Sequence, residues 1–584
     1  MTRCIATRLL LALAAGCSSN APGGGDDDGA DARPADARLA DAPPADAAPI
    51  PDVEIVDPGV PPEIDGRIVI NELMATNALT AVDEAQLAGD WAELYNPTEQ
   101  DIPLHGYWLT DDLAQPQTWF IPDGLVLPAG GYMMFWLDDT PERGPRHAAF
   151  ALDDDGEALG LARPDGSWID RVEFGAQEVD FSAAREPDGS ALWVIEWHAS
   201  PGEPNPDGDG SPAGTENPDA PPEQIPAAGD LTERILGYDA LPALELLVSP
   251  ASLAALEANP RVYAPADLKF DGRVYGPIGV RVKGQDTFQP FSQKPSLRIN
   301  IDEYVGRAKF FGLDDLTLNN MASDRSMMHE RLAYMVARAM GMRASRATHA
   351  TLRVNGQLYG LYANVETVKS HMVARWFADA SGPLFESEGA DYIPSQVSLF
   401  EHESGPDDRT LIAATAQAMT LTDPDQAMAA AAAYVDVARF QQLWAVFSVI
   451  GQFDSLPVYT DDYFLYADPQ SMRLHFMPWG MDETWSSGSY NVTMVNSILG
   501  RTCKASPACF QAYVDRTWQI LGMVEAMDLI AEVDRVAGQI APMVAADPRR
   551  PYTLEEVQAG QQSIRYFING RRAKLAEMLP AASQ

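Results

Sequence analysis

Asp454, Asp461, Asp462, Asp482 and Glu483 crowd one stretch of this chain, residues 451–485, GQFDSLPVYTDDYFLYADPQSMRLHFMPWGMDETW. Carboxylates gathered beside an apolar wall can hold a hard divalent cation, or one of them can serve as a base. Two runs within the stretch, DYFLYAD and RLHFMPW, read as the strands of a β-hairpin. Side-by-side strands would put Asp462 and Asp482 on one edge, close to Asp454. A solvated acidic loop is the plainer reading, but the flanking Trp, Phe, Met and Pro argue for an enclosed site.

The elements ahead of these acids carry basic groups. In IGVRVKG, Ile278, Val280 and Val282 point one way and Arg281 and Lys283 the other. In KPSLRINID, Leu297, Ile299 and Ile301 point inward, which places Lys294, Ser296 and Arg298 on the opposite face. Apolar spacing predicts a helix over 326–340, opened by Ser326 and stopped by Gly341, with Glu330 off its apolar stripe. A hairpin with an Asn355-Gly356 turn follows and ends in Glu366. Asp436 caps the helix that runs into the acidic stretch, and from residue 510 onward the chain reads as helical. Phosphoryl transfer uses these parts: a Lys against the phosphates, a Glu to hold it, an Asp for the acceptor hydroxyl, and further acids for divalent ions. HExxH, GxSxG, GxxxxGK and GxGxxG are all absent, and the 8 histidines are scattered, which disfavours zinc hydrolase, serine hydrolase and P-loop chemistry.

The chain of 584 residues has room for three or four domains. It carries 41 basic against 84 acidic residues, a net charge of -43, which repels nucleic acid and anionic membranes. Residues 1–17 read as a secretory signal, and LAAGC ending at Cys17 resembles a bacterial lipobox whose cysteine is lipidated. Residues 18–65 are an Ala/Asp/Pro tether with nothing to bury, and 206–230 are a second Pro/Gly/Asp-rich linker. Once the signal is removed, Cys503 and Cys509 are the pair left in an exported chain, and their short spacing predicts a disulfide.

Short, regularly spaced strands over 66–205 predict a small β-sandwich. There INELMATN (70–77), DWAELYNP (90–97), LHGYWLTDD (104–112), REPDGS (185–190) and SPGEPN (200–205) resemble the lamin-tail domain, an immunoglobulin-like sandwich. That resemblance implies an adhesion or targeting accessory. Residues 231–584 resemble the CotH-type (spore coat protein H) atypical kinases. The resemblance rests on GVRVKG (279–284), KPSLRI (294–299), LTLNNMASDRSMMHERLAYMVARAMGM (316–342), VNGQLYGLYANVE (354–366), FDSLPVYTDDYFLY and FMPWGMDETW. It implies an α+β kinase-like domain with a helical C-terminal part, using ATP and Mg²⁺ or Mn²⁺.

By position, the resemblance makes Lys294 the phosphate lysine, Glu330 its helix partner and Arg281 a phosphate aid. It places Glu366 at the nucleotide hinge, Asp454 as the catalytic aspartate and Asp482 as a metal ligand; Asp461 and Asp462 are expected as further metal ligands from the acidic stretch itself, not from the resemblance. Two departures stand out: Gly480 replaces the first acid of the family's PW-Asp-x-Asp pattern, and Asp461-Asp462 replace its usual Asn. The expectation is an exported, lipid-anchored kinase acting on Ser or Thr of extracytoplasmic proteins. It would touch the membrane through its lipid alone. The alternative is a degenerate kinase fold serving as an adhesion or scaffold module.

Overall fold

The computed structural model describes residues 68–205, 222–225, 230–285, 287–306, 308–486 and 490–583. The signal segment, Cys17 and the tether lie outside them.

Alternating strands of the first domain pair into two five-stranded sheets. One is ordered Trp193–Glu196, Ser182–Arg185, Val69–Met74, Trp91–Tyr95, Tyr132–Trp136; the other is ordered Glu223–Gln224, Trp168–Glu173, Ala158–Ala162, Trp108–Thr110, Trp119–Phe120. Ile70, Leu94, Leu109, Phe135, Leu161 and Val172 are fully buried in the core of this sandwich. The segment expected to be a linker adds Glu223–Gln224 as a parallel edge strand beside Trp168–Glu173. Two residues carry no period to read. What seats the strand is Glu223, whose Oε2 accepts from the buried Arg185 at 2.8 Å.

Seven strands then close a barrel: Ala243–Leu247, Ala264–Phe270, Arg273–Lys283, Ser296–Asn300, Asp315–Asn319, Gln357–Glu366 and Ala347–Val354. Val280, Val282, Leu297, Ile299, Leu316 and Leu318 belong to its buried core. The turns at Asp271-Gly272 and Asn355-Gly356 have positive φ at both residues, which Asp, Asn and Gly tolerate best. Barrel and sandwich share a core. Phe181 and Trp197 of the sandwich meet Phe311 at 5.4 and 5.0 Å between ring centres, and Arg273 donates to Thr80 Oγ1 at 2.6 Å.

Helix His329–Ala339 begins three residues later than the sequence pattern predicts. Asp324 captures Ser326 instead, accepting from its amide at 2.8 Å and its hydroxyl at 2.6 Å. The chain enters the helix from an Asp-centred turn. The C-terminal part holds a four-stranded sheet, Glu401–Ser404, Leu384–Ser387, Tyr463–Asp468, Arg473–Pro478. Helix Val437–Ile450, buried from Gln442 to Ile450, packs against strand Arg473–Pro478 and is capped by Asp436, whose carboxylate accepts from the Arg439 amide. Helices Ile498–Ala505, Pro507–Glu525, Leu529–Ala546 and Leu554–Ala576 complete this part, and a disulfide joins Cys503 to Cys509.

Candidate active site

Strand alternation puts Arg281 and Lys283 on the outer face of the barrel, opposite the buried Val280 and Val282. Antiparallel pairing sets Lys283 beside Ser296 and Arg281 beside Arg298. Lys283 Nζ donates to Asn319 Oδ1 at 3.1 Å, and Asn319 Nδ2 donates to Glu330 Oε1 at 2.8 Å. An amide thus bridges the strand lysine and the helix glutamate. Glu330 Oε2 is buried and has no hydrogen-bond partner among the described residues.

Lys294 is placed elsewhere, and its expected partnership with Glu330 is corrected. Its Nζ lies 2.6 Å from Asp547 Oδ2, with the two side chains 3% and 0% exposed. Pro295 interrupts the alternation just before strand Ser296–Asn300, and Lys294 turns toward Tyr362 and the end of helix Leu529–Ala546. Asp547 also accepts from the Leu361 amide at 3.0 Å and the Arg549 amide at 2.8 Å. This is a buried ion pair that ties the start of strand Ser296–Asn300 to the end of helix Leu529–Ala546.

Glu366 is also corrected. It is the last residue of its strand, but its carboxylate accepts from the Arg346 side chain at 2.8 Å, the Arg346 amide at 2.8 Å and both Arg375 nitrogens. Those partners overcome the cost of burial and hold its pKa well below the usual carboxylate range. Both oxygens are engaged by the two arginines. Arg281 stays on the Lys283 face, its guanidinium 5.3 Å from the centre of the Tyr263 ring.

The acidic hairpin forms as the pattern predicts, with Tyr463–Asp468 pairing antiparallel to Arg473–Pro478. The loop leaving helix Val437–Ile450 is stitched to it. Ser455 Oγ donates to the Asp462 carbonyl at 3.0 Å, and Gln452 Nε2 donates to the Gly480 carbonyl at 2.9 Å. Asp454, beside Ser455, is thereby brought to Asp462. Gly480 and Asp462 both have positive φ, and a Cβ added at Gly480 would lie 2.6 Å from Asp462 Cγ. The carboxyl group of Asp462 occupies the space that a side chain at position 480 would need.

The charges of the site press on one another. Burial first, then Asp454, Asp461, Asp482 and Glu386, push Asp462 well above the usual carboxylate range. Burial and then the Asp482 carboxylate raise Glu330 to about 8. Burial pulls Lys283 down, against the attraction of Glu330, Glu386 and Asp482. Glu386, which the sequence pattern did not single out, is raised to about 8 by burial and then by Glu403. The carboxylates around Asp462 repel one another, and a divalent cation among them would relieve that repulsion, but among the described residues no three of them bring ligand atoms within 4.8 Å of one another. A polyanion beside Lys283 would favour the charged lysine.

Lys283 was legible as a strand residue, but only the barrel's closure shows it joined through Asn319 to Glu330. Ser323 and Asp324, from the turn that replaces the expected first turn of the helix, and His329, the first residue of the helix, also enter the site. The residue types of that turn do not announce it.

A lysine held through an amide to a helix glutamate, facing an acidic hairpin with a helical part behind it, defines a kinase-like protein. A β-sandwich precedes these parts in the chain. The chain belongs to the CotH kinase protein family, whose model matches residues 280–575, and the Lamin Tail Domain model matches residues 62–176. It is 22% identical over 299 residues to the inner spore coat protein H of Bacillus subtilis (strain 168), covering 46% of this chain and 80% of that protein. Among solved structures, it is similar to the Helicobacter pylori proinflammatory kinase CtkA, at 8% identity, 50% of this chain, 93% of that chain and a TM-score of 0.24. It is also similar to a chain of the Shewanella oneidensis MR-1 HipA–HipB–operator DNA complex, at 11% identity, 56% of this chain, 80% of that chain and a TM-score of 0.25. Membership implies nucleotide and metal use in general.

Proposed function

We propose that this protein is an extracytoplasmic kinase that transfers the γ-phosphoryl group of ATP to Ser or Thr of exported proteins, with Mg²⁺ or Mn²⁺. The observation that carries the reading is the Lys283–Asn319–Glu330 chain facing the Asp454, Asp461, Asp462 and Asp482 cluster. Lys283 takes the phosphate role expected of Lys294, with Arg281 on the same face in support. Asp482, Asp462 and Asp461 would hold the cation, which when bound offsets phosphate charge. Asp454 accepts the proton of the acceptor hydroxyl. Glu330 and Asn319 keep Lys283 aimed at the cleft.

Residues 1–17 direct export, lipid on Cys17 anchors the chain, and the lamin-tail sandwich serves adhesion or targeting. The net charge of -43 speaks against a nucleic-acid partner. One observation favours a second reading, a degenerate kinase fold used as a scaffold: Gly480 offers no carboxylate where the family pattern has one.

Titration of the mature chain with ATP and Mg²⁺ or Mn²⁺, followed by a phosphotransfer assay on a mixed Ser/Thr acceptor, separates the two. The kinase reading expects saturable metal-dependent binding that is lost in Asp482→Ala. It also expects transfer to be lost in Asp454→Ala while binding survives. Absence of nucleotide binding under both ions leaves the scaffold reading.

A further inference from the structure

Asp482 does not stand alone at the end of its strand. His329 Nδ1 donates to its backbone carbonyl at 2.7 Å, and Ser323 Oγ donates to its Oδ2 at 2.5 Å. Ser323 comes from the turn before helix His329–Ala339, and His329 is the first residue of that helix, immediately before Glu330. The turn is itself built around Asp324, which is 2% exposed. Asp324 Oδ2 accepts from the His329 amide at 2.7 Å, its Oδ1 accepts from Ser326, and its Oδ1 lies 3.4 Å from His329 Nε2.

The contacts continue on both sides. Trp485 Nε1 donates to the His329 carbonyl at 3.2 Å, and the Trp485 amide donates to the Ile450 carbonyl at 2.9 Å. Ile450 ends the helix that leads to Asp454. Behind the turn, Gln561 Nε2 of the last helix reaches the Ser326 carbonyl at 3.4 Å, and Tyr552 donates to the Ala322 carbonyl. One ring therefore ties the N-terminus of the Glu330 helix to the Asp482 backbone, and a hydroxyl from the same turn holds the Asp482 carboxylate.

We propose that His329 and Ser323 are positioning residues that set Asp482 for the divalent cation and make its placement move with that of Glu330. The proposal rests on the kinase reading above. His329 fixes where the Asp482 main chain sits, and Ser323 fixes how its carboxylate is turned. Neither residue needs to touch the nucleotide. A displacement of helix His329–Ala339 would shift Glu330, and through it Lys283, together with Asp482. The lysine side and the acid side of the cleft would then assemble or come apart as one unit.

The test is Mn²⁺ affinity of the full mature chain, read by the electron paramagnetic resonance of free Mn²⁺ with and without a non-hydrolysable ATP analogue, beside thermal melting. His329→Asn places an amide donor where Nδ1 stood, whereas His329→Gln places one nearer Nε2 and Asp324. Outer-shell partners of metal ligands are worth roughly ten- to hundredfold in affinity. His329→Gln is expected to weaken Mn²⁺ binding by about that factor with melting close to wild type, and His329→Asn to recover most of it. Ser323→Ala is expected to weaken it by a smaller factor. Wild-type Mn²⁺ affinity in His329→Gln overturns the proposal and leaves the kinase reading standing. Equal losses in the Asn and Gln variants, each with lowered melting, also overturn it, because they would show a structural role alone. Absence of Mn²⁺ binding by the wild-type chain, with and without the analogue, overturns this proposal, whereas the kinase reading falls only if nucleotide binding also fails with Mg²⁺.

Discussion

Lys294→Met and Lys283→Met should fail in opposite ways. Lys294 and Asp547 form a buried pair at 2.6 Å, 3% and 0% exposed. Removing the lysine strands a carboxylate in the interior, which costs about 3–5 kcal/mol. At about 2–4 °C per kcal/mol for a domain of moderate size, melting should fall by about 6–20 °C. Replacing both partners, Lys294→Met with Asp547→Leu, should restore much of that loss, since no charge is then left buried. Lys283 has no such acid locked to it; its hydrogen bond is to the neutral Asn319. Its removal should leave melting nearly unchanged. It should weaken ATP binding by the worth of a hydrogen bond to a charged group, about 1.5–3 kcal/mol, or roughly ten- to a hundredfold. Differential scanning fluorimetry and calorimetric titration with ATP and Mn²⁺ measure the two effects separately. The reasoning is refuted if Lys294→Met melts like wild type and loses ATP while Lys283→Met keeps it.

Gly480→Asp, which would restore the family's acid, should instead lower Mn²⁺ affinity and melting, because its Cβ would lie 2.6 Å from Asp462 Cγ; adding Asp462→Gly should recover both. In the sandwich, burial raises Glu93 to about 8 and Glu72 to about 7 from an ordinary 4.5. The folded state therefore holds protons that the unfolded chain releases, and stability is full below about 4.5 and lost as pH rises through about 8. Glu93→Gln should raise melting at pH above 8 and leave it unchanged near pH 4, as a pH series of melting curves would show. Arg273→Ala removes the donor to Thr80 Oγ1 and to the Trp197 carbonyl. It should loosen the sandwich from the barrel and speed limited proteolysis between them, with little change in ATP binding.

Much of the fold is local and so was legible in the residues. Alternation set the inward faces of strands Arg273–Lys283 and Ser296–Asn300. Asn-Gly and Asp-Gly set two turns, Asp436 set a helix start, and the cysteine spacing set the Cys503–Cys509 bond. The acidic hairpin, which needs only neighbouring strands, was placed with Asp462 and Asp482 near Asp454. Short-range backbone preferences decide these features, and they hold whatever the rest of the chain does.

The partners of the lysines were not local. Lys283 and Lys294 both stand in motifs of the family resemblance, and nothing within either motif separates them. Asp547, which claims Lys294, lies 253 residues away in sequence. Likewise, Arg346 and Arg375 claim Glu366, and Asp324 claims the residues expected to begin the Glu330 helix. A buried charge must find its counter-charge, and which one it finds depends on how the barrel and the helical part close together. The residue types and their periods determined the strands, their turns and the acidic cluster, and the motifs carried the family resemblance. The tertiary structure alone decided that Lys283, and not Lys294, faces that cluster.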